Sequence, residues 1–158
     1  MSAPTALREQ LQSDLTTAIR SRDEVATATL RMVLTAVKGE EVSGDAAHDL
    51  TEEQVLAVLR REAKKRKEAA TAFDGAGRPE LAERERAELA VVESYLPAAL
   101  GAEEVSALVA EEVAAAAADG AAGMKAMGRV IKAVQARAEG RADGAALAAE
   151  VKRQLSGS

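Results

Sequence analysis

TEEQVLAVLRREAKKRKEAATAF, residues 51–73, decides the fold. Thr51 followed by Gln54 is a capping box, in which each side chain satisfies the other residue's backbone N–H. Behind it Val55, Leu59 and Phe73 return on one side at helical spacing, with Arg60, Lys64 and Lys67 on the opposite face. This predicts a helix from Thr51 to about Phe73 whose apolar stripe must be covered by other helices. Asp74 to Arg78 (DGAGR) breaks it, and Pro79 suits the first turn of the next helix, which is expected to end near Leu96 before Pro97.

The same reading extends in both directions. Thr5 caps a helix to about Arg22, with a stripe of Leu7, Leu11, Leu15, Ala18 and Ile19. Asp23 caps a second, about Glu24 to Glu41, with Ala26, Leu30, Val33, Leu34 and Val37 inward. Ser43 to Asp49 is a loop. After Pro97, helices are expected at about Glu103–Asp119, Met124–Ala138 and Ala145–Leu155, separated by turns at Gly120–Gly123 and Gly140–Gly144. Ala114 to Ala118 reads as helix-favouring composition rather than a motif. No strand pattern occurs. The expectation is an all-α protein of two domains, 1–97 with about four helices and 98–158 with three.

Composition supports helix-on-helix packing. Hydrophobic residues make up 47% of the 158-residue chain but aromatics only 1%, so the core is aliphatic. The absence of cysteine excludes disulfides, thiolate chemistry and cysteine-ligated zinc. No apolar run has the length of a signal peptide or a membrane span, so the expected compartment is the cytoplasm. The single histidine, His48, lies in a polar loop away from other ligands. There is no phosphate-binding glycine loop, dinucleotide fingerprint or nucleophile elbow. Glu40/Glu41, Glu52/Glu53 and Glu103/Glu104 read as surface acids. No catalytic residue, metal site or cofactor is expected.

The net charge of −5 conceals polarity. Residues 60–67 hold six bases and one acid, 103–119 five acids and no base, and 124–158 seven bases and three acids. Two groups of cations are candidates for RNA phosphates. One is Arg60, Lys64 and Lys67, a patch for phosphates or an acidic partner whose alternative reading is a merely solvated face. The other is Lys125, Arg129 and Lys132, at i, i+4 and i+7 opposite Met127, Val130, Ile131 and Val134, followed by Arg137 and Arg141. With no aromatic nearby to stack bases, recognition would rest on RNA shape and phosphates. Glu62 and Arg66 fall on the apolar side at i, i+4 and are expected to form a structural ion pair, with Glu85, Glu88 or Arg31 as further partners.

Several stretches resemble the GatB/YqeY family: Leu30-Arg31-Met32-Val33, Leu50-Thr51-Glu52-Glu53, Arg61 to Glu68 (REAKKRKE), Phe73, Gly77-Arg78, Leu81-Ala82, Glu93-Ser94-Tyr95-Leu96-Pro97, Met127-Gly128-Arg129-Val130 and Gly140-Arg141-Ala142-Asp143. Their order spans nearly the whole chain. The alanine run and the Gly101-Ala102 pair, where a polar cap is usual, depart from the pattern. The resemblance implies a free-standing relative of the tail of the GatB subunit of the glutamine-dependent tRNA amidotransferase. In that carbon–nitrogen ligase the tail helps hold tRNA, and the active site lies in parts absent from this chain. Two expectations follow: a non-catalytic tRNA-binding module, or an adaptor docking on an amidotransferase or aminoacyl-tRNA synthetase.

Overall fold

The computed structural model describes residues 5–157. Among them are seven α-helices, one short 3-10 turn and no strand. Packing divides the chain into two compact units between Leu96 and Pro97.

The first unit contains α1 (Ala6–Ser21), α2 (Glu24–Glu41), α3 (Glu52–Gly75) and α4 (Pro79–Glu93). The expected caps are in place. Thr5 accepts from Arg8 N–H at 3.3 Å, and Asp23 from Ala26 N–H at 3.0 Å. The capping box of α3 is closed in both directions, at 3.2 Å and 2.9 Å. Each such cap contributes about 1 kcal/mol by satisfying N–H groups that lack an intrahelical partner. The α3–α4 hairpin turns through Gly77 at φ 72°, a left-handed conformation that favours glycine, and Pro79 opens α4.

The stripes of α1, α2 and α3 meet in a core of Leu11, Leu30, Val33, Val37, Val55 and Leu59, to which α4 adds Val92. Ile19 departs from the expected stripe. It is 47% exposed because α1 ends two residues later, with Arg22 in the left-handed conformation. Phe73 is only half-buried; it lies in the last turns of α3, at the turn end of the α3–α4 hairpin. The fourth helix ends at Glu93, short of Leu96, and Tyr95 and Leu96 continue it with tighter i→i+3 hydrogen bonds. Tyr95 donates from its hydroxyl to Asp14 on α1 at 2.5 Å. Arg8 and Glu41 form a two-point ion pair between the start of α1 and the end of α2.

The second unit contains α5 (Ala102–Ala118), α6 (Met127–Ala138) and α7 (Gly144–Ser156) around Val109, Ala116, Val130, Val134, Leu147, Val151 and Leu155. As expected from Gly101, α5 starts without a side-chain cap, whereas Asp143 caps α7 by accepting from Ala146 N–H at 3.0 Å. Within Ala114 to Ala118 only Ala116 is buried, so the run supports the helix more than the core. The sixth helix is shorter than expected. Gly123 at φ 71° opens a 3-10 turn, Gly123–Ala126, and regular α-helix begins at Met127. Lys125 therefore stands on the 3-10 turn, and the expected i, i+4, i+7 row of Lys125, Arg129 and Lys132 is not a continuous α-helical row.

Candidate nucleic-acid interface

Helix α3 sorts its cations by burial. Arg66 is 3% exposed, as expected of a charge on the apolar side, and its guanidinium lies between helices. Its Nη1 bonds Glu62 Oε1 at 3.2 Å and the Glu62 carbonyl at 3.0 Å. Its Nε faces Glu88 Oε2 on α4 at 3.8 Å, within ion-pair distance but beyond hydrogen-bond range, and is the one buried side-chain polar atom without a hydrogen-bond partner among the described residues. Lys65 reaches Glu62 at 3.0 Å, and Arg84 reaches Glu88 at 3.3 Å. The result is a chain of alternating charge, Lys65–Glu62–Arg66–Glu88–Arg84, with buried members inside and exposed cations at each end. Of the expected extra partners, Glu88 joins. Glu85 is half-buried beside it, and burial followed by the Glu88 charge pushes its carboxyl above the ordinary range. Arg31 is exposed and takes no part; Met32 Sδ instead lies 3.5 Å from Arg66 Nη2.

Of the remaining α3 cations, Arg60 is half-buried and the others are exposed. Arg60 pairs with Glu53 at 3.4 Å and Arg61 with Glu40 at 2.9 Å. Lys64 and Lys67 are exposed and have no carboxylate within ion-pair distance among the described residues. Three residues apart, they occupy one side of the helix.

The C-terminal candidates are placed differently. Arg129 Nη2 lies 2.5 Å from Asp119, the residue that ends α5. Arg137 reaches Glu111 at 2.6 Å and Glu112 at 3.1 Å, and these contacts hold its guanidinium above its ordinary pKa. Arg141 donates from Nε to the Ala98 carbonyl at 2.8 Å, and its own carbonyl accepts from Leu100 N–H at 2.8 Å. It ties the segment before α5 to the α6–α7 turn. Lys125 and Lys132 are exposed and lack an acidic partner among the described residues. Asp119, Glu111 and Glu112 were not singled out by the sequence reading. One signal was available for Asp119, because an acid at a helix C-terminus opposes the helix dipole and so needs another reason to be there.

Among the described residues no group of three or more His, Cys, Asp or Glu is placed to hold a metal ion, and no helix is long and apolar enough to cross a membrane. His48 is exposed in the α2–α3 loop.

No curated protein matches the chain. A family model, that of the Yqey-like protein, matches residues 8–155, covering both units and every cation described above. That family is related to the C-terminal region of GatB, in line with the resemblance carried by the ordered motifs. The chain belongs to the Yqey-like protein family.

Proposed function

We propose that the protein is a non-catalytic cytoplasmic module that docks on the phosphate backbone of a folded RNA, with tRNA as the ligand class, through the outer face of α3. The observation that carries this reading is the exposed, unpaired couple Lys64 and Lys67, flanked by Arg61 and Lys65 at 58% and 72% side-chain exposure. Exposed ion pairs are worth only about 0–1 kcal/mol, so a phosphate can displace Glu40 from Arg61 at little cost. The only tyrosine is bonded to Asp14 and the only phenylalanine is half-buried. Contacts would therefore fall on phosphates and helix shape rather than on stacked bases. The kinship with the GatB tail supplies the choice of tRNA and a setting beside glutamine-dependent amidation, with the chemistry performed by another protein.

Binding of total tRNA across a salt series tests this. The Lys64→Glu/Lys67→Glu variant should bind more weakly, with a salt slope lower by about 1.4–1.8, the change expected for two lost phosphate contacts. Retention and slope equal to wild type would remove α3 from the interface.

The second reading is an adaptor that docks on an amidotransferase or aminoacyl-tRNA synthetase. It draws support from the acidic partners already held by Arg129 and Arg137, which lower the positive field of α6. Recovery of such a partner that survives nuclease treatment favours it; recovery that depends on RNA counts against it.

A further inference from the structure

Helices α5 and α6 run against each other with their charges in register. Asp119 meets Arg129, and about two turns further along, Glu111 and Glu112 meet Arg137. The acidic stretch of the chain thus lies along the arginines of its basic stretch. Helix stability does not explain Asp119, which carries its negative charge at the end of α5 where the dipole disfavours it. Core packing does not explain it either, since its side chain is 65% exposed and that of Arg129 is 49% exposed. Arg137 is bound by two carboxylates through separate nitrogens, Nη2 to Glu111 and Nη1 to Glu112. Guanidinium groups meet the oxygens of a phosphate in the same way. Lys132 stands on the same helix, exposed and without an acid.

We propose that α6 carries a second polyanion-binding face, built on Arg129, Lys132 and Arg137, and that Asp119, Glu111 and Glu112 mask it by standing where phosphate oxygens would bind. The proposal rests on the RNA reading above and adds to it an internal competitor. Because the pairs are exposed, each exchanges with solvent and with phosphate, so the mask lowers affinity without abolishing it. Wild-type protein would then bind RNA chiefly through α3, and α6 would contribute once its acids are neutralised. Arg141 is outside this face, because its guanidinium is committed to Ala98.

The test compares tRNA binding by the full chain and by Asp119→Asn/Glu111→Gln/Glu112→Gln in a salt series. The neutralised variant should bind several-fold tighter at low salt, with a slope steeper by about 1.4–1.8 for two additional phosphates. A control, Glu103→Gln/Glu104→Gln, removes acids from the start of α5 that touch neither arginine. If affinity rises as much per charge removed in the control, the gain reflects net charge alone and the proposal is overturned. A folded neutralised variant whose binding equals wild type also overturns it, while the α3 reading stands. Absence of binding by all three proteins overturns both. Helicity by circular dichroism confirms folding. If the triple variant does not fold, Asp119→Asn alone carries the test, with half the slope change expected.

Discussion

Replacing Arg66 by Met probes the buried charge chain directly. Arg66 is 3% exposed, and the carboxylates it separates have side-chain exposures of 6% for Glu62 and 11% for Glu88. Without the guanidinium, each acid retains only one exposed cation, Lys65 or Arg84, at the margin of the helix pair. Breaking a buried ion pair by removing one partner costs about 3–5 kcal/mol. The surviving cations hold part of the Coulomb energy, which places the expected loss near the lower end, about 3 kcal/mol. With a urea slope of about 1.5 kcal/mol/M, the unfolding midpoint should fall by about 2 M. The chain has one tyrosine and no tryptophan, so Tyr95 emission reports on the first unit alone. The companion variant Glu62→Leu/Arg66→Met/Glu88→Leu removes all three buried charges and should lie within about 1 kcal/mol of wild type, because the desolvation cost disappears with the attraction. A loss below about 1 kcal/mol for Arg66→Met would refute the view that these charges are buried and interdependent. A triple variant no better than the single would refute the claim that the stranded carboxylates cause the loss.

Three further outcomes are expected. Burial, and then the hydrogen bond to Asp14, raise the Tyr95 phenol above its ordinary pKa of about 10. Its stabilising contribution is therefore complete below pH ~10 and is lost as the pH rises through the folded-state pKa. Absorbance at 295 nm should show phenolate forming later in folded than in urea-unfolded protein, and an unchanged midpoint would contradict the burial. Glu150 is held down to about 2 by Arg153 and then by Gln154. Its contribution is present above the ordinary carboxylate range and is lost as pH falls through the folded value, so Glu150→Gln should flatten the acid dependence of the second unit between about pH 4.5 and 2, as followed by amide exchange in α7. Gly39 lies within α2, and an added Cβ there meets nothing within 4 Å. Gly39→Ala should raise stability in urea by up to about 1 kcal/mol, and a loss would reveal a close neighbour at that site.

Much of the molecule could be read from local rules. Thr5, Asp23 and Thr51 start the helices they precede, because a cap is a contact between residues three apart. The core residues Leu11, Val33, Leu59, Val130 and Val151 follow from helical periodicity and the exclusion of aliphatic side chains from water. The Glu62–Arg66 pair was legible for the same reason, since both residues fall on one side of one helix and a charge on an apolar face needs a partner. The choice of Glu88 over Arg31 was not, because it depends on which neighbouring helix comes near.

The fate of the cations was decided by tertiary structure. Along the sequence, Lys125, Arg129, Lys132, Arg137 and Arg141 form one basic group, with the acids of 103–119 in a separate stretch. Folding places α5 against α6 and brings Asp119, Glu111 and Glu112 onto two of those arginines, while Arg141 turns to Ala98. It also breaks the register at Gly123, so that Lys125 leaves the row. On α3 the same process leaves Lys64 and Lys67 open. Periodicity tells which side of a helix a charge occupies, because that is set by the geometry of one backbone. Whether the charge meets an acid or water depends on a second helix many residues away, and only packing determines that distance.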